Sequence, residues 1–236
     1  MKYFCILTLT LIISGCMVAA SKHRPTSYYE GASSSTKSLV NDTLNDLSEE
    51  SIQKILSYRL ALPSKNRIAI INLSQDNYWQ YYSSDFVSLN KEILNGFINN
   101  LNESPRIYDA SFLPSLILPK SYSLANLRMA AARYQADVLM TYQTNCQNFE
   151  ERKLIDPNVI RAYCTVEVMA IDIRSGIVSF TAVSTNDFTA KKADEDVNFH
   201  ETRKKAEMKA ISAGLTEVSS LMREFIEGMP KLGVRQ

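Results

Sequence analysis

The chain has 236 residues, with 26 Lys+Arg against 25 Asp+Glu and a formal net charge of +1. That balance excludes the basic surplus expected of a nucleic-acid binder. Apolar residues at 45% and charged residues at 22% suit a chain that buries a core, and the length fits one domain of roughly 150–180 residues with appendages. Two histidines far apart, His23 and His200, offer no multi-histidine metal site. No P-loop, HExxH, nucleophile elbow or dinucleotide fingerprint occurs. Neither a metal nor a cofactor is expected, and no catalytic residue is assigned.

The N-terminus has the layout of a secretory signal. Lys2 precedes an uncharged apolar run over residues 3–13, and Ser14 and Gly15 lead directly into Cys16. The end of this run, Ile13-Ser14-Gly15-Cys16, resembles the lipobox of bacterial lipoproteins. Resemblance implies removal of residues 1–15 and acylation of Cys16, and Met17 in place of Asp resembles the outer-membrane sorting pattern. An uncleaved anchor helix is the competing reading, but the apolar stretch is near the lower limit for a span and is interrupted by Gly15. Residues 16–42 carry the lipidated cysteine and then a Ser-rich linker with no periodic apolar pattern. Tyr28-Tyr29 is a chance aromatic pair within it.

The folded domain is placed at 43–228, with 229–236 as a C-terminal tail. A first helix is expected over about 43–60, capped by Asn41 or Asp42 and ended by Pro63. Arg67–Leu73 reads as a buried strand, followed by a polar, aromatic loop over 74–84. A helix is expected from Phe86 to Leu101, a strand from Arg106 to Leu113, and a Pro-bracketed stretch from Pro114 to Pro119. Ser123 can cap a third helix running to about Tyr134. Ala136–Cys146 reads as a strand, residues 148–160 as a charged loop, and Ala162–Ile173 as the next strand. Arg174-Ser175-Gly176 makes a turn into Ile177–Phe188. The last element is a long amphipathic helix, with Met208, Ile211, Leu215, Val218, Met222 and Phe225 at helical spacing. The order α-β-α-β-α-β-β-β-α implies an α/β (α+β) fold: a mixed sheet of four to five strands flanked by helices.

Three segments in this order carry a resemblance: Arg67-Ile-Ala-Ile-Ile-Asn-Leu73 after Pro63, Ala136-Asp-Val-Leu139 after a helix, and Val168-Met-Ala-Ile-Asp-Ile-Arg-Ser-Gly176. Together they resemble the α/β domain shared by bacterial lipoproteins such as the curli-secretion protein CsgG, the penicillin-binding-protein activator LpoB and the N-terminal domain of TolB. The likeness covers about residues 60–228 and implies a fold and a binding role. The chain lacks the membrane-inserting segments of the curli pore, the TolB propeller and the Pro-rich tether of LpoB.

Candidate site residues are few. Cys146 and Cys164 fall on adjacent strands. Facing each other, they would set Met140 against Ala170 and Tyr142 against Val168, leaving Asn148–Ala162 as the connection. An oxidising compartment favours a disulfide over two buried thiols. Tyr78, Trp79, Tyr81 and Tyr82 cluster after a strand end, where they either cap the core edge or contact a partner. The charges of 149–157 and Arg203-Lys204-Lys205 read as solvated faces. These features imply a non-enzymatic lipoprotein anchored in the bacterial outer membrane and facing the periplasm. It would bind or regulate another envelope protein, such as a cell-wall synthase or a secretion or appendage assembly, without contacting nucleic acid. The alternatives are a self-assembling structural oligomer, or a small-ligand-binding or hydrolytic domain.

Overall fold

The computed structural model describes residues 39, 48–74, 84–151 and 158–232. Five strands form one mixed sheet in the order β2-β1-β3-β4-β5. They are β1 (Asn66–Asn72), β2 (Ile107–Phe112), β3 (Val138–Glu151), β4 (Val159–Asp172) and β5 (Val178–Lys191). The pairs of β1 with β2 and β3 are parallel, and β3-β4-β5 is an antiparallel meander. Four helices accompany it: α1 (Glu49–Ser57), α2 (Ser84–Asn102), α3 (Leu124–Arg133) and α4 (Phe199–Gly228). The element order and the α/β class are those read from the sequence.

Side-chain alternation divides the sheet into two faces. Ile68, Ile70, Val138, Met140 and Val168 join Phe97 and Leu101 of α2 and Leu215 and Met222 of α4 in the larger core. Ala69, Ile71, Leu139 and Ile171 turn the other way and meet Leu127 and Ala131 of α3. Strand β1 is apolar on both faces because both are covered. Full burial of a residue such as Phe97 stabilises by about 1.5–3 kcal/mol.

The motifs behind the resemblance have structural explanations. The Asp137 carboxylate accepts from the Arg67 backbone N–H at 2.9 Å and pairs with Arg174, tying the starts of β1 and β3 to the β4–β5 turn. Asp172 accepts from the backbone N–H of Ser175 at 2.8 Å and from its hydroxyl, which shapes the turn. Gly176 adopts φ +76° there, and an added Cβ would lie 2.9 Å from the Arg128 guanidinium.

Several boundaries differ from expectation. Helix α1 is capped by the Ser48 side chain and ends in extended backbone at Tyr58, five residues before Pro63. The expected start over 43–47 lies outside the described residues. None of its side chains is buried, so its apolar spacing does not mark a core helix. Within the expected charged loop, residues 148–151 and 159–160 are strand: β3 and β4 pair continuously out to Glu151↔Val159. The connection is therefore shorter than Asn148–Ala162, because charged residues alternate out of the sheet without ending the ladder. Leu39, within the expected linker, docks on the domain. Its carbonyl accepts from the Leu124 backbone N–H at 2.9 Å, and it packs with Leu118 and Leu124. At the other terminus, Leu62 donates to Pro230 at 2.9 Å and accepts from Leu232 at 2.8 Å, so the expected tail begins as part of the fold.

Candidate interaction surface

The cysteine pair and Arg203-Lys204-Lys205 can be located, as can 149–151 of the charged run, whose residues 152–157 lie outside the described residues. Cys16 and the aromatic residues Tyr78, Trp79, Tyr81 and Tyr82 lie outside the described residues. Cys146 and Cys164 are directly opposite in the β3–β4 register, with Met140 against Ala170 and Tyr142 against Val168, and they are joined by a disulfide with a sequence separation of 18. The bond faces α4, and Cys164 is fully buried. Its role is to fasten the meander under the helix.

Arg203-Lys204-Lys205 is not a solvated face. Lys205 reaches Asp196 at 2.7 Å and Glu201 at 3.1 Å, both buried. Lys204 pairs with Glu207 at 2.8 Å, and Glu207 also accepts from Asn148 at 2.6 Å. Arg203 pairs with Glu150 and donates to His200 Nδ1. These charges join the start of α4 to β3. Burial alone would raise the Asp196 carboxyl, but bonds from Lys205, Thr202 and Ala193 outweigh it and hold the group below its ordinary range. Burial, with Arg203 and Lys204 alongside, lowers His200.

At the carboxyl end of β1, beside the middle of β3, lies a small cleft of about 330 Å³, including its open mouth, between α2 and α4. It is lined by Asn72, Ile93, Tyr142, Thr144, Met208, Ile211 and Leu215. In open α/β sheets this end, where the strand order turns, is the usual ligand crevice. Among the described residues the lining carries no carboxylate, ammonium or imidazole; Tyr142 is titratable, and burial raises its phenol. The cleft is mainly apolar, and its described residues offer no acid–base pair.

A second organised surface is the outer face of the meander, opposite α4. Beyond the end covered by α3, its outward side chains are exposed or half-buried. Phe149 and Tyr163 meet edge-to-face at 5.5 Å. The Arg161 guanidinium lies 4.9 Å from the Tyr163 ring and bonds Asp187 at 2.8 Å, an acidic partner that raises the Arg161 pKa. Thr165 and Thr185 share a hydrogen bond at 2.9 Å, and Gln143 donates to Glu167 at 2.6 Å. Cross-strand pairs of these kinds stiffen a sheet and fix its side chains before any partner arrives. Sequence reasoning missed this surface because Phe149 and Arg161 fell in the presumed loop. The available signal was alternation: Phe149, Glu151, Val159, Arg161 and Tyr163 occupy odd positions while Ile160, Ala162 and Cys164 fall inside.

Fold and surface together define an α/β domain whose open sheet face carries Phe149, Tyr163 and the Arg161–Asp187 pair. No protein-family model matches the sequence, and no curated protein matches it. Among solved structures the chain is similar to a minor lipoprotein from Acinetobacter baumannii, at 7% identity and TM-score 0.36 over 71% of this chain and 98% of that chain. A lipoprotein from Neisseria meningitidis gives 11% identity and TM-score 0.31 over 65% and 98%. The PelC dodecamer from Paraburkholderia phytofirmans gives 13% identity and TM-score 0.30 over 68% and 93%. The likeness to CsgG, LpoB and TolB domains rests on the sequence motifs alone.

Proposed function

We propose that this chain is a bacterial outer-membrane lipoprotein, acylated at Cys16 and facing the periplasm, whose domain is non-enzymatic and binds another envelope protein on the outer face of β3–β5. The observation that carries the reading is the pre-arranged group of Phe149, Tyr163, Arg161 and Asp187. Aromatic and arginine side chains held in place lose little entropy on binding and dominate protein interfaces. Among the described residues the cleft's lining carries no ionised group, which supports a binding role over hydrolysis. A cell-wall synthase or a secretion or appendage assembly is the partner class, and Tyr78, Trp79, Tyr81 and Tyr82 would add a second contact.

A second reading, self-assembly, is favoured by β5. It is a 14-residue edge strand whose only charges are Asp187 and Lys191, and it contains no proline. Edges normally carry such protection against pairing with another chain.

One experiment tests both readings: affinity capture from solubilised envelopes, using tagged full-length wild type and a Phe149→Ala/Tyr163→Ala variant in a strain that also makes untagged chain. A specific envelope protein recovered with wild type and lost with the variant is expected. Recovery of untagged chain alone favours self-assembly. Identical recovery with wild type and variant removes the outer face from the proposal.

A further inference from the structure

Between β2 and α3 the chain makes a loop that exposes apolar side chains in a way the core does not require. Pro114 and Pro119 bracket a 3-10 turn over Ser115–Ile117. At its tip Leu116 is 96% exposed, and Ile117 and Tyr122 are 38% and 42% exposed. The loop is rigidly held: Leu113 is buried, Leu118 packs on the α3-side core, and the Asn126 amide bonds the Ser121 carbonyl at 3.1 Å. Lys120 is exposed between the apolar tip and Tyr122. Leu116, Ile117 and Tyr122 together form an exposed apolar group on one loop, and grouped apolar exposure of this kind is a mark of interaction sites.

What covers it is indicated by where the N-terminal segment joins the domain. Leu39 is bonded to the backbone N–H of Leu124, two residues after Tyr122, and it shares the cluster of Leu118 and Leu124. Cys16 lies 23 residues before that point. The junction between lipid anchor and domain is therefore beside the apolar loop, not on a remote surface.

We propose that the loop from Pro114 to Tyr122 is a second membrane contact. Leu116 and Ile117 enter the boundary between headgroups and acyl chains, Tyr122 sits at headgroup level and Lys120 meets lipid phosphates. Apolar tips, interfacial tyrosines and basic side chains partition in this way. The contact orients the domain with the start of α3 toward the bilayer. This inference rests on the reading of Cys16 as the anchor.

The test uses the full-length chain in vesicles of phosphatidylethanolamine and phosphatidylglycerol, with an environment-sensitive fluorophore on Leu116→Cys, Leu56→Cys or Val197→Cys. All three side chains are exposed, so the substitutions leave the core intact, and Cys146 and Cys164 are held in their disulfide. Intact mass reports whether Cys16 carries acyl groups. A blue shift and quenching by shallow brominated lipids at position 116, with neither at 197 or 56, is expected. An acylated chain whose label at 116 behaves like that at 197 overturns the proposal and leaves the anchor standing. Quenching at 56 in place of 116 also overturns it and gives the contact to α1. A chain without acyl mass overturns the anchor reading and this contact with it.

Discussion

Arg106 shows how a residue without a motif can hold two ends of a chain together. It is buried, and its guanidinium donates to the carbonyls of Ile226 at 2.6 Å and Pro63 at 3.2 Å, and to that of Met229. The last carbonyls of a helix lack partners within it and carry partial negative charge. One cation therefore satisfies the end of α4 and fixes the strand-like contact of Leu62 with Pro230 and Leu232. Arg106→Met would retain much of the side-chain volume and leave these carbonyls without their donor. A loss of about 2–4 kcal/mol in urea unfolding is expected. A loss below about 0.5 kcal/mol, usual for a surface change, would show the cap to be dispensable.

At the scale of elements, the contact between α4 and the meander depends on Gly214. A Cβ built there would fall 2.6 Å from Cγ2 of Val166 on β4. Replacing glycine with alanine in a helix interior ordinarily stabilises by about 1 kcal/mol. Overpacking a filled core costs about 1–3 kcal/mol, and the helix cannot retreat without opening the contacts of Leu215 and Val218. Gly214→Ala should lower the thermal midpoint of the wild type and raise that of a Val166→Ala variant, where the clashing methyl is gone. The same sign in both backgrounds would refute the steric argument. Element types and order were legible because each apolar run had one dominant period: alternation in β4, and three-to-four spacing in α2 and α4. Glu150, Glu151 and Arg161 obscured the outer ends of the hairpin, since charge reads as loop unless the alternation is followed through it. The interaction face was illegible for a related reason. Residue types announce aromatics, but the meeting of Phe149 with Tyr163, and of Arg161 with Asp187, depends on register across three strands. Arg106 gave no signal because its partners are backbone carbonyls 43 to 123 residues away.

For the whole molecule, the buried charges at the start of α4 make stability depend on pH from both sides. His200 has a folded pKa below its ordinary 6.5, through burial and the neighbouring Arg203 and Lys204, with Glu207 opposing. The native state then binds fewer protons than the unfolded chain as pH falls from 6.5 toward the folded value, so stability declines across that window. Asp196, held below its ordinary 3.8, contributes stability that is complete above that pH and is lost as pH falls through its folded value. Lys205 acts at the opposite end. Burial disfavours its charge, but bonds to Asp196 and Glu201 raise its pKa above 10.5, so its contribution is full below that pH and fades above the folded value. Because Glu207 is bonded to Asn148 and Arg203 to Glu150, the helix start cannot be released without loosening the meander, and local titration is felt in global unfolding. Urea unfolding across pH should give a plateau between about pH 7 and 10, with a shallow step on acidification beginning near 6.5. His200→Gln should remove that first step and leave the steeper acid loss near 4 and below. Wild-type stability that rises as pH falls from 7 to 5 would contradict the sign assigned to His200, and a His200→Gln profile that retains the step would assign it to another group.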